Sequence, residues 1–348
     1  MVRNRTGRGI AGDTRAAALA LAAALAALTV SSRPAAALQA DTAAARDTAA
    51  AADTLRAPTS GTFKALTYNV AGLPPGVSKS KPLQNIPRIS ALLNGYDLVL
   101  VQEDFVFHAL LEYAVNLPHR SEAEGLSRLF SRDFLALVRD FPQINIDRIL
   151  ALAGGERMMG DGLNHFSRFP YTDFERQRWT ICSGVTAASN DCLATKGFTY
   201  ARHTLADSVT VDVYNVHADA GRRPWDEEAR RAQFRQLAAF MALRSAGQAV
   251  IVAGDTNLQA PVKADEETLQ EFTRTMGLSI AGRALNAGDE VDRFFYRGSP
   301  TLRLEPVAQS PASEFVDSDG GPLSDHPALR VEFRWEVIPP ASAPPPGA

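Results

Sequence analysis

The sequence predicts an α/β fold in which buried strands end in polar side chains. The clearest strand is the apolar run 249–253, which continues without polar alternation into Gly254 and is therefore expected to be buried on both faces. An amphipathic helix is expected before it, over residues 225–244, and a strand before that helix, over residues 208–217. A strand, a helix and a second strand in this order are typical of α/β architectures.

The remaining elements follow in chain order from local patterns of the same kinds. A strand is expected where β-forming residues run into a turn, and a helix where apolar residues recur at helical spacing. The expected strands cover residues 62–70, 97–103, 161–170, 291–296 and 328–335, and the further helices cover residues 83–95 and 104–160. The arginines of the helix 225–244 are expected to form mostly a solvated face: Arg230, Arg231, Arg235 and Arg244.

The first 40 residues have the layout of a secretory signal peptide. Arg3, Arg5 and Arg8 precede an Ala/Leu-rich run and a small-residue segment that suits cleavage after Ala37 or Ala40. The apolar run is too short to favour a membrane span. We therefore expect a secreted protein, extracellular or periplasmic, without a transmembrane segment.

Composition sets the expected domain boundaries. Residues 41–60 lack an apolar face and residues 338–348 hold five prolines, so both are expected to be disordered around one large domain over 61–337. Five arginines and one aspartate lie in residues 1–40, so the chain without them carries 31 basic and 38 acidic side chains, a formal charge of −7. That balance is not the footprint of nonspecific nucleic-acid binding.

Cys182 and Cys192 are the only cysteines in the chain. In an exported protein, two cysteines this close favour a disulfide that closes a small loop. A metal site at this place would need more ligands nearby.

Polar side chains stand at the ends of the predicted strands or in the loops that follow them. Ligands collect at the carboxyl ends of strands in α/β sheets, so these side chains are candidates for one common site. The candidates are Asn69, Glu103, His217, Asp255, Asn257, Asp292, Asp325 and His326.

Each candidate also has a simpler interpretation when it is taken singly. Asp255 and Asn257 would then only bond the nearby backbone of a turn, and Glu103 would only be solvated. His108 and His119 have no partner pattern around them and are interpreted as structural. His165 could approach a site, but a partly buried histidine with satisfied hydrogen bonds is the favoured interpretation.

Taken together, the candidates are carboxylates, carboxamides and imidazoles, with no thiol. Oxygen ligands of this kind suit Mg²⁺, Mn²⁺ or Ca²⁺ better than zinc. One histidine able to activate water and a second able to assist a leaving group would complete a hydrolase around that cation.

Six short motifs in this order resemble the endonuclease/exonuclease/phosphatase superfamily, which has the deoxyribonuclease I-like fold. They span residues 66–69, 102–103, 214–217, 254–257, 291–294 and 324–327, and the resemblance covers about residues 62 to 336. Each motif is weak alone, and the ordered set is specific. The resemblance implies a four-layered α/β sandwich, with two mixed β-sheets packed face to face and helices outside, and cleavage of a phosphoester by water with a divalent metal, usually Mg²⁺.

The resemblance also implies roles for the motif residues. Glu103 would be the principal metal ligand, with Asn69 and Asp325 in the same metal-site set. Asp255 and Asn257 would orient the water and the phosphate.

The two motif histidines would carry the acid–base chemistry. His326, oriented by Asp292, would act as general base or transition-state stabiliser, and His217 would donate to a phosphate oxygen or the leaving group. Thr256 departs from the family pattern, in which an apolar or aromatic residue is common.

A further short motif, less specific than the six above, indicates the substrate. Asp191 and Lys196, followed by Gly197, look like the phosphate-contacting Asp and Lys-Gly element of the neutral sphingomyelinase branch, and Leu73 followed by Pro74 looks like that branch as well. An exposed ion pair in a disulfide-closed hairpin is an equally weighted interpretation.

The favoured function is therefore a sphingomyelinase C-like phospholipid phosphodiesterase, acting as a monomer with peripheral contact to a membrane surface. No obvious exposed aromatic hairpin for membrane docking is visible. A secreted deoxyribonuclease I-like endonuclease is the alternative. A non-catalytic binding module is less expected, because every motif position holds a competent residue.

Overall fold

The computed structural model describes residues 58–73, 80–140, 160–184, 192, 195–288 and 290–340. The predicted signal peptide, most of the segment 41–60, Asp191 and residues 341–348 lie outside this part of the chain, so those predictions stay predictions.

Twelve β-strands form two mixed six-stranded sheets within the described residues. The strands of the first sheet, in spatial order, are β11 (Leu302–Pro311), β12 (Leu329–Val337), β1 (Ser60–Asn69), β2 (Leu98–Gln102), β4 (Asn164–Ser167) and β3 (His119–Arg120). The strands of the second sheet are β5 (Tyr171–Arg178), β6 (Gly197–Ala206), β7 (Val209–His217), β8 (Val250–Asp255), β10 (Asp292–Arg297) and β9 (Ser279–Ile280). The pairs β1/β2 and β7/β8 are parallel, whereas the other pairs are antiparallel.

Helices cover the outer faces of both sheets. They are α1 (Pro82–Leu92), α2 (His108–Leu111), α3 (Arg132–Asp140), α4 (Pro224–Arg244), α5 (Lys263–Met276) and α6 (Ala281–Ala284), and short 3₁₀ helices span Leu93–Gly95 and Gly125–Leu129. Proline stands in the first turn of α1 and of α4, where its missing N–H costs no hydrogen bond.

The described residues form three apolar cores, because successive side chains along a strand point to opposite faces of its sheet. In β7, the valines at 209, 211 and 213 pack between the sheets with Phe294 and Phe333, whereas Tyr214 packs on the other side against α4 and α5. A third core joins the outer face of the first sheet to α1, α2 and α3. The four-layered α/β sandwich with two packed mixed sheets is therefore confirmed.

A polar contact replaces the apolar core between the sheets near the ends of β2 and β7. The Gln102 side-chain amide donates to the Asn215 carbonyl at 2.7 Å, and the Asn215 amide donates to the Val101 backbone carbonyl at 2.8 Å. Both side chains are fully buried. The apolar face of β7 thus changes to polar residues at its carboxyl end, as the period of two predicts.

The prediction that residues 104–160 form helices is confirmed at α2 and α3 and wrong for much of the rest of its described part. Phe105, Val106 and Phe107 are all buried, which a helix with a single buried face cannot achieve, and the chain then forms only the one-turn α2 before strand β3. Residues 141–159 lie outside the described part.

The predicted solvated arginine face of α4 is wrong at one position. Arg230 is fully buried and donates through two guanidinium nitrogens to the Asp265 carboxylate of α5, each at 2.9 Å. A buried charge requires such a partner, and this one lies 35 residues further along the chain.

Some elements carry no clear sequence signal. Strand β5 contains Asp, Glu and Arg, and β11 contains two prolines, with a shift in pairing register between Pro306 and Ala308. Both are edge strands, where such residues are tolerated.

Cys182 and Cys192 form a disulfide, with 5.3 Å between their Cα atoms, which confirms the predicted bond. Within the described ranges, the helices all fall short of the length and apolarity that a membrane crossing requires.

Candidate active site

The parallel pair β1/β2 brings Asn69 and Glu103 together. Asn69 is the last residue of β1 and is paired with Gln102, the residue before Glu103. Glu103 has a φ of +59°, and its carbonyl accepts a hydrogen bond from the Gly72 amide at 3.0 Å. A Cβ on Gly72 would lie 2.4 Å from that carbonyl oxygen, so the glycine permits this close approach.

The parallel pair β7/β8 brings His217 opposite Asp255 in the second sheet. The strands approach closely at Gly254, where a Cβ would lie 2.0 Å from the Val216 carbonyl oxygen. Both strands therefore end at the same place, with an imidazole and a carboxylate side by side.

Asp292 begins β10 and is paired directly with Asp255 across the antiparallel ladder. Its carboxylate lies 2.9 Å from Nδ1 of His326, which follows Ser324 in the loop before β12. Ser324 donates through its hydroxyl to the Asn69 backbone carbonyl at 2.7 Å and thereby holds this loop against the end of β1.

One carboxylate oxygen, Oδ2 of Asp255, joins these groups. It accepts a hydrogen bond from the Asn69 amide at 3.2 Å and lies 3.6 Å from Nε2 of His217 and 3.7 Å from Nε2 of His326. The Asn69 amide also donates to Glu103 at 3.0 Å. Six predicted site residues from separate segments thus form a single cluster.

The two histidines of the cluster have opposite charge preferences. Burial lowers the pKa of His217 well below its usual value, and the neighbouring Lys196 and His326 charges add to this effect. Burial also opposes protonation of His326, but the hydrogen bond to Asp292 and the surrounding carboxylates outweigh it and raise the pKa of His326 to about 9. His217 is thus neutral and His326 cationic at neutral pH.

The carboxylates are crowded. Burial raises the pKa of Glu103, with the charges of Asp255 and Asp325 acting in the same direction. Burial also raises the pKa of Asp292 to about 6. One oxygen of Asp292 is buried without a hydrogen-bond partner among the described residues.

This surplus of negative charge suits a cation. Among the residues that the structure describes, ligand atoms of Asp255, Asp292 and His326 lie within 4.8 Å of one another, and Glu103 is joined to the group through Asn69. The carboxylate oxygens of this group are the donors that suit Mg²⁺, Mn²⁺ or Ca²⁺, and His326 adds one ring nitrogen.

Other predicted residues surround the cluster. Lys196 is buried, donates to the Ala218 carbonyl at 3.3 Å, and its charge opposes the effect of burial on the pKa of Glu103. Asn257 donates to the same carbonyl at 3.0 Å. Asp325 is exposed, but its charge reaches both Glu103 and His326. Asp191 cannot be placed.

Thr256, the departure from the family pattern, has a structural role beside the site. Its hydroxyl donates to the Val291 carbonyl at 2.7 Å and accepts from the buried Arg293 at 2.6 Å. The threonine and arginine hold the loop after Asp255 against β10. Neither side chain was expected to contribute to the site, although both stand within its motifs.

The chain matches the Endonuclease/Exonuclease/phosphatase family over residues 66–326. It is also 32% identical over 299 residues to proteins named sphingomyelinase from Mycobacterium bovis and Mycobacterium tuberculosis. The match covers 79% of this chain and 53% of each relative, so the chain spans about half the length of these curated relatives.

Solved structures share the fold. A sphingomyelinase C from Streptomyces griseocarneus superposes with a TM-score of 0.52 at 19% identity, over 78% of this chain and 99% of the other. A Staphylococcus aureus β toxin variant with bound magnesium ions also gives 0.52, at 16% identity, over 78% and 99%.

Proposed function

Because the chain belongs to the Endonuclease/Exonuclease/phosphatase family, we propose that it is a secreted, divalent-metal-dependent phosphodiesterase that releases the headgroup of a sphingomyelin-type phospholipid. The observation that carries this proposal is the convergence on Asp255, where one carboxylate oxygen lies within 3.7 Å of groups from three other segments. Phosphoester hydrolysis requires charge neutralisation and positioned water more than a covalent nucleophile.

Glu103 would hold the cation, with Asn69 and Asp325 in the same set. When bound, Mg²⁺ would neutralise charge on the phosphate. The raised pKa of Glu103 supports this assignment, since the residues around that carboxylate do not fully compensate its charge. Asn69 donates to Glu103 and Asp255 and so holds the two carboxylates in place.

His326 and Asp292 would act as a pair. Asp292 holds Nδ1 of the imidazole, which directs Nε2 towards Asp255 and the space beside it. Protonated, His326 stabilises the additional negative charge of the transition state; neutral, it accepts a proton from water. A cation bound among the carboxylates would lower its pKa and favour the second role.

His217 would act as a neutral donor. Its Nε2 lies near both Glu103, at 3.8 Å, and Asp255, at 3.6 Å, and burial keeps the ring uncharged. A neutral N–H can donate to a phosphate oxygen or to the leaving oxygen. Lys196 adds a positive charge on the same side of the site.

The choice of phospholipid is supported by the named relatives and by Lys196. A lysine near Glu103 and His217 agrees with the phosphate-contacting role implied by the sphingomyelinase branch. A zwitterionic headgroup also needs no broad basic surface, whereas nonspecific DNA binding draws its affinity from many phosphate contacts.

The decisive experiment compares substrates at equal enzyme concentration in one Mg²⁺ buffer. Sphingomyelin in mixed micelles, plasmid DNA and bis(p-nitrophenyl) phosphate are offered to the wild type and to Lys196→Ala. We expect phosphocholine release that Lys196→Ala reduces. DNA nicking without phosphocholine release, unaffected by the substitution, would assign the nuclease activity instead. If none of the substrates is hydrolysed, the result would favour a non-catalytic binding module.

A further inference from the structure

Two exposed apolar side chains lie together on the described surface. Trp225 is 54% exposed and Ile181 is 52% exposed, and both line one groove of about 500 Å³. Exposed aromatic and aliphatic residues that share a concave surface indicate a binding face more strongly than isolated ones do. We call the surface formed by Ile181, Arg223 and Trp225 the Trp225 platform.

Trp225 and Ile181 both lie in chain segments that are close in sequence or through the disulfide to residues of the proposed active site. Trp225 follows His217 by eight residues, through a loop whose Ala218 carbonyl accepts from Lys196. Ile181 precedes Cys182, which is bonded to Cys192 shortly before Lys196. The platform is therefore continuous with the segments that carry two of the proposed phosphate-directed groups.

Buried hydrogen bonds fix the Ile181 side of the platform. The Ser183 amide donates to the Asp219 carboxylate, and the Ser183 hydroxyl donates to Asp226 in the first turn of α4. Gln233 donates to the Ile181 carbonyl at 2.9 Å.

The loop on the Trp225 side is fixed by the buried Arg230. This guanidinium donates to the carbonyls of Asp219, at 3.1 Å, and Gly221, at 3.0 Å. The apolar side chains are consequently held outward by anchored backbone.

The charges beside the groove suit a lipid headgroup layer. Arg223 is exposed, and its guanidinium lies 5.3 Å from the centre of the Trp225 ring. Tryptophan is enriched at membrane–water interfaces, and arginine pairs with phosphate. Glu228 also lines the groove. This mixture of charges matches a zwitterionic surface better than a strongly anionic one.

We propose that the Trp225 platform docks the protein on a zwitterionic phospholipid bilayer and delivers lipid headgroups to the neighbouring site. This inference rests on the proposed function and adds its membrane-facing surface. Docking places Trp225 and Ile181 at the level of the headgroups, with Arg223 on a lipid phosphate.

Trp225 supplies a direct probe. The chain has three tryptophans, and the other two, Trp179 and Trp335, are 9% and 5% exposed. Addition of phosphatidylcholine–sphingomyelin vesicles to the His326→Ala protein, in which turnover is slowed, is therefore expected to shift its tryptophan emission to shorter wavelength. Trp225→Phe should remove this shift.

Vesicle sedimentation measures the binding itself. Trp225→Ala and Ile181→Ser should each weaken binding, by about tenfold for the tryptophan, because burial of an aromatic ring contributes more than the 1.4 kcal/mol that a factor of ten requires. The matched control is Leu243→Ala, since Leu243 is 86% exposed on the same helix and does not line the groove. It should bind like the parent protein.

Several results would overturn the docking proposal. They are absence of parent binding, equal binding by all variants, and a dimer that Trp225→Ala dissociates without any vesicle binding. Bis(p-nitrophenyl) phosphate separates this proposal from the function itself. A wild type that binds vesicles but never hydrolyses this soluble diester would contradict the proposed activity and leave the docking face supported.

Discussion

Two histidine–aspartate pairs in this protein have similar contacts and different surroundings. In the proposed active site, His326 lies 2.9 Å from Asp292 and its side chain is 23% exposed. In the core of the first sheet, His108 lies 2.5 Å from Asp104 and is 5% exposed. In both pairs the carboxylates outweigh burial and raise the histidine pKa to about 9.

The difference lies in what surrounds each pair. His326 faces Asp255, which also contacts His217 and Asn69. The ring of His108 stacks at 6.0 Å on Phe166, and its partner aspartate accepts from Asn164. A raised histidine pKa therefore marks a carboxylate neighbour and not a catalytic group. Access and convergence of further polar groups distinguish the two cases.

The largest expected effect is the loss of activity when divalent cations are removed, because only the His326–Asp292 pair lies beside the proposed metal site. EDTA is expected to abolish phosphodiesterase activity and Mg²⁺ or Mn²⁺ to restore it, because burial and neighbouring carboxylates raise the pKa of Glu103, the proposed metal ligand, and a bound cation would stabilise its charged form. Glu103→Gln should raise the Mg²⁺ concentration needed for half-maximal rate. Full activity in EDTA would contradict a metal-dependent site.

Substitution of the two histidines should have different effects on the rate of turnover. His326→Ala is expected to lower bis(p-nitrophenyl) phosphate turnover by about 10²-fold or more, as for a lost acid–base group. His108→Gln should change turnover by less than about threefold at a temperature where it remains folded. Circular dichroism provides the folding control, and equal rate losses would show that the comparison is wrong.

The free energy of unfolding should depend on the His108–Asp104 pair, whose substitution is expected to affect turnover little. His108→Gln leaves the Asp104 carboxylate buried beside a neutral group and should lower the free energy of unfolding by about 3 kcal/mol, measured in urea. The double variant Asp104→Asn/His108→Gln should recover at least half of that loss, since it removes the uncompensated charge. A double variant no more stable than the single one would refute the charge explanation.

The smallest expected effect is on pH dependence. The pKa of His108 is raised above its unfolded value, so its contribution is complete below about pH 6.5 and is lost as the pH rises through about 9. Between pH 7 and 9 this amounts to about 2 kcal/mol.

The pH dependence from His108 is measured by thermal melting in saturating Mg²⁺. His326 also has a raised pKa and would contribute a similar pH dependence, but a cation among the site carboxylates would reduce that contribution. His108→Gln should flatten the decline of melting temperature with pH. An unchanged slope would assign the decline to other groups.

The sequence alone predicted seven of the strands and the polar residues at which several of them end, but it did not predict β6, although most of that strand is buried. Five apolar residues before Gly254 and the alternation along β7 are local properties, and they predicted both the inter-sheet core and the site candidates. The disulfide followed from the presence of only two cysteines. The contact between Asp104 and His108 could not be predicted from their spacing of four residues, because α2 begins only at His108 and the residues before it are not helical.

Only the tertiary structure decided which polar groups meet. Asn69 and Asp255 are 186 residues apart in the chain, and their hydrogen bond depends on how two sheets pack. The burial of Arg230 likewise depends on α5, which supplies Asp265. Local patterns report the preference of each segment, whereas burial, pKa and contact are properties of at least two segments packed together. For this reason the residues of the candidate site could be named from the sequence, but the charge state of His217 and His326 could not.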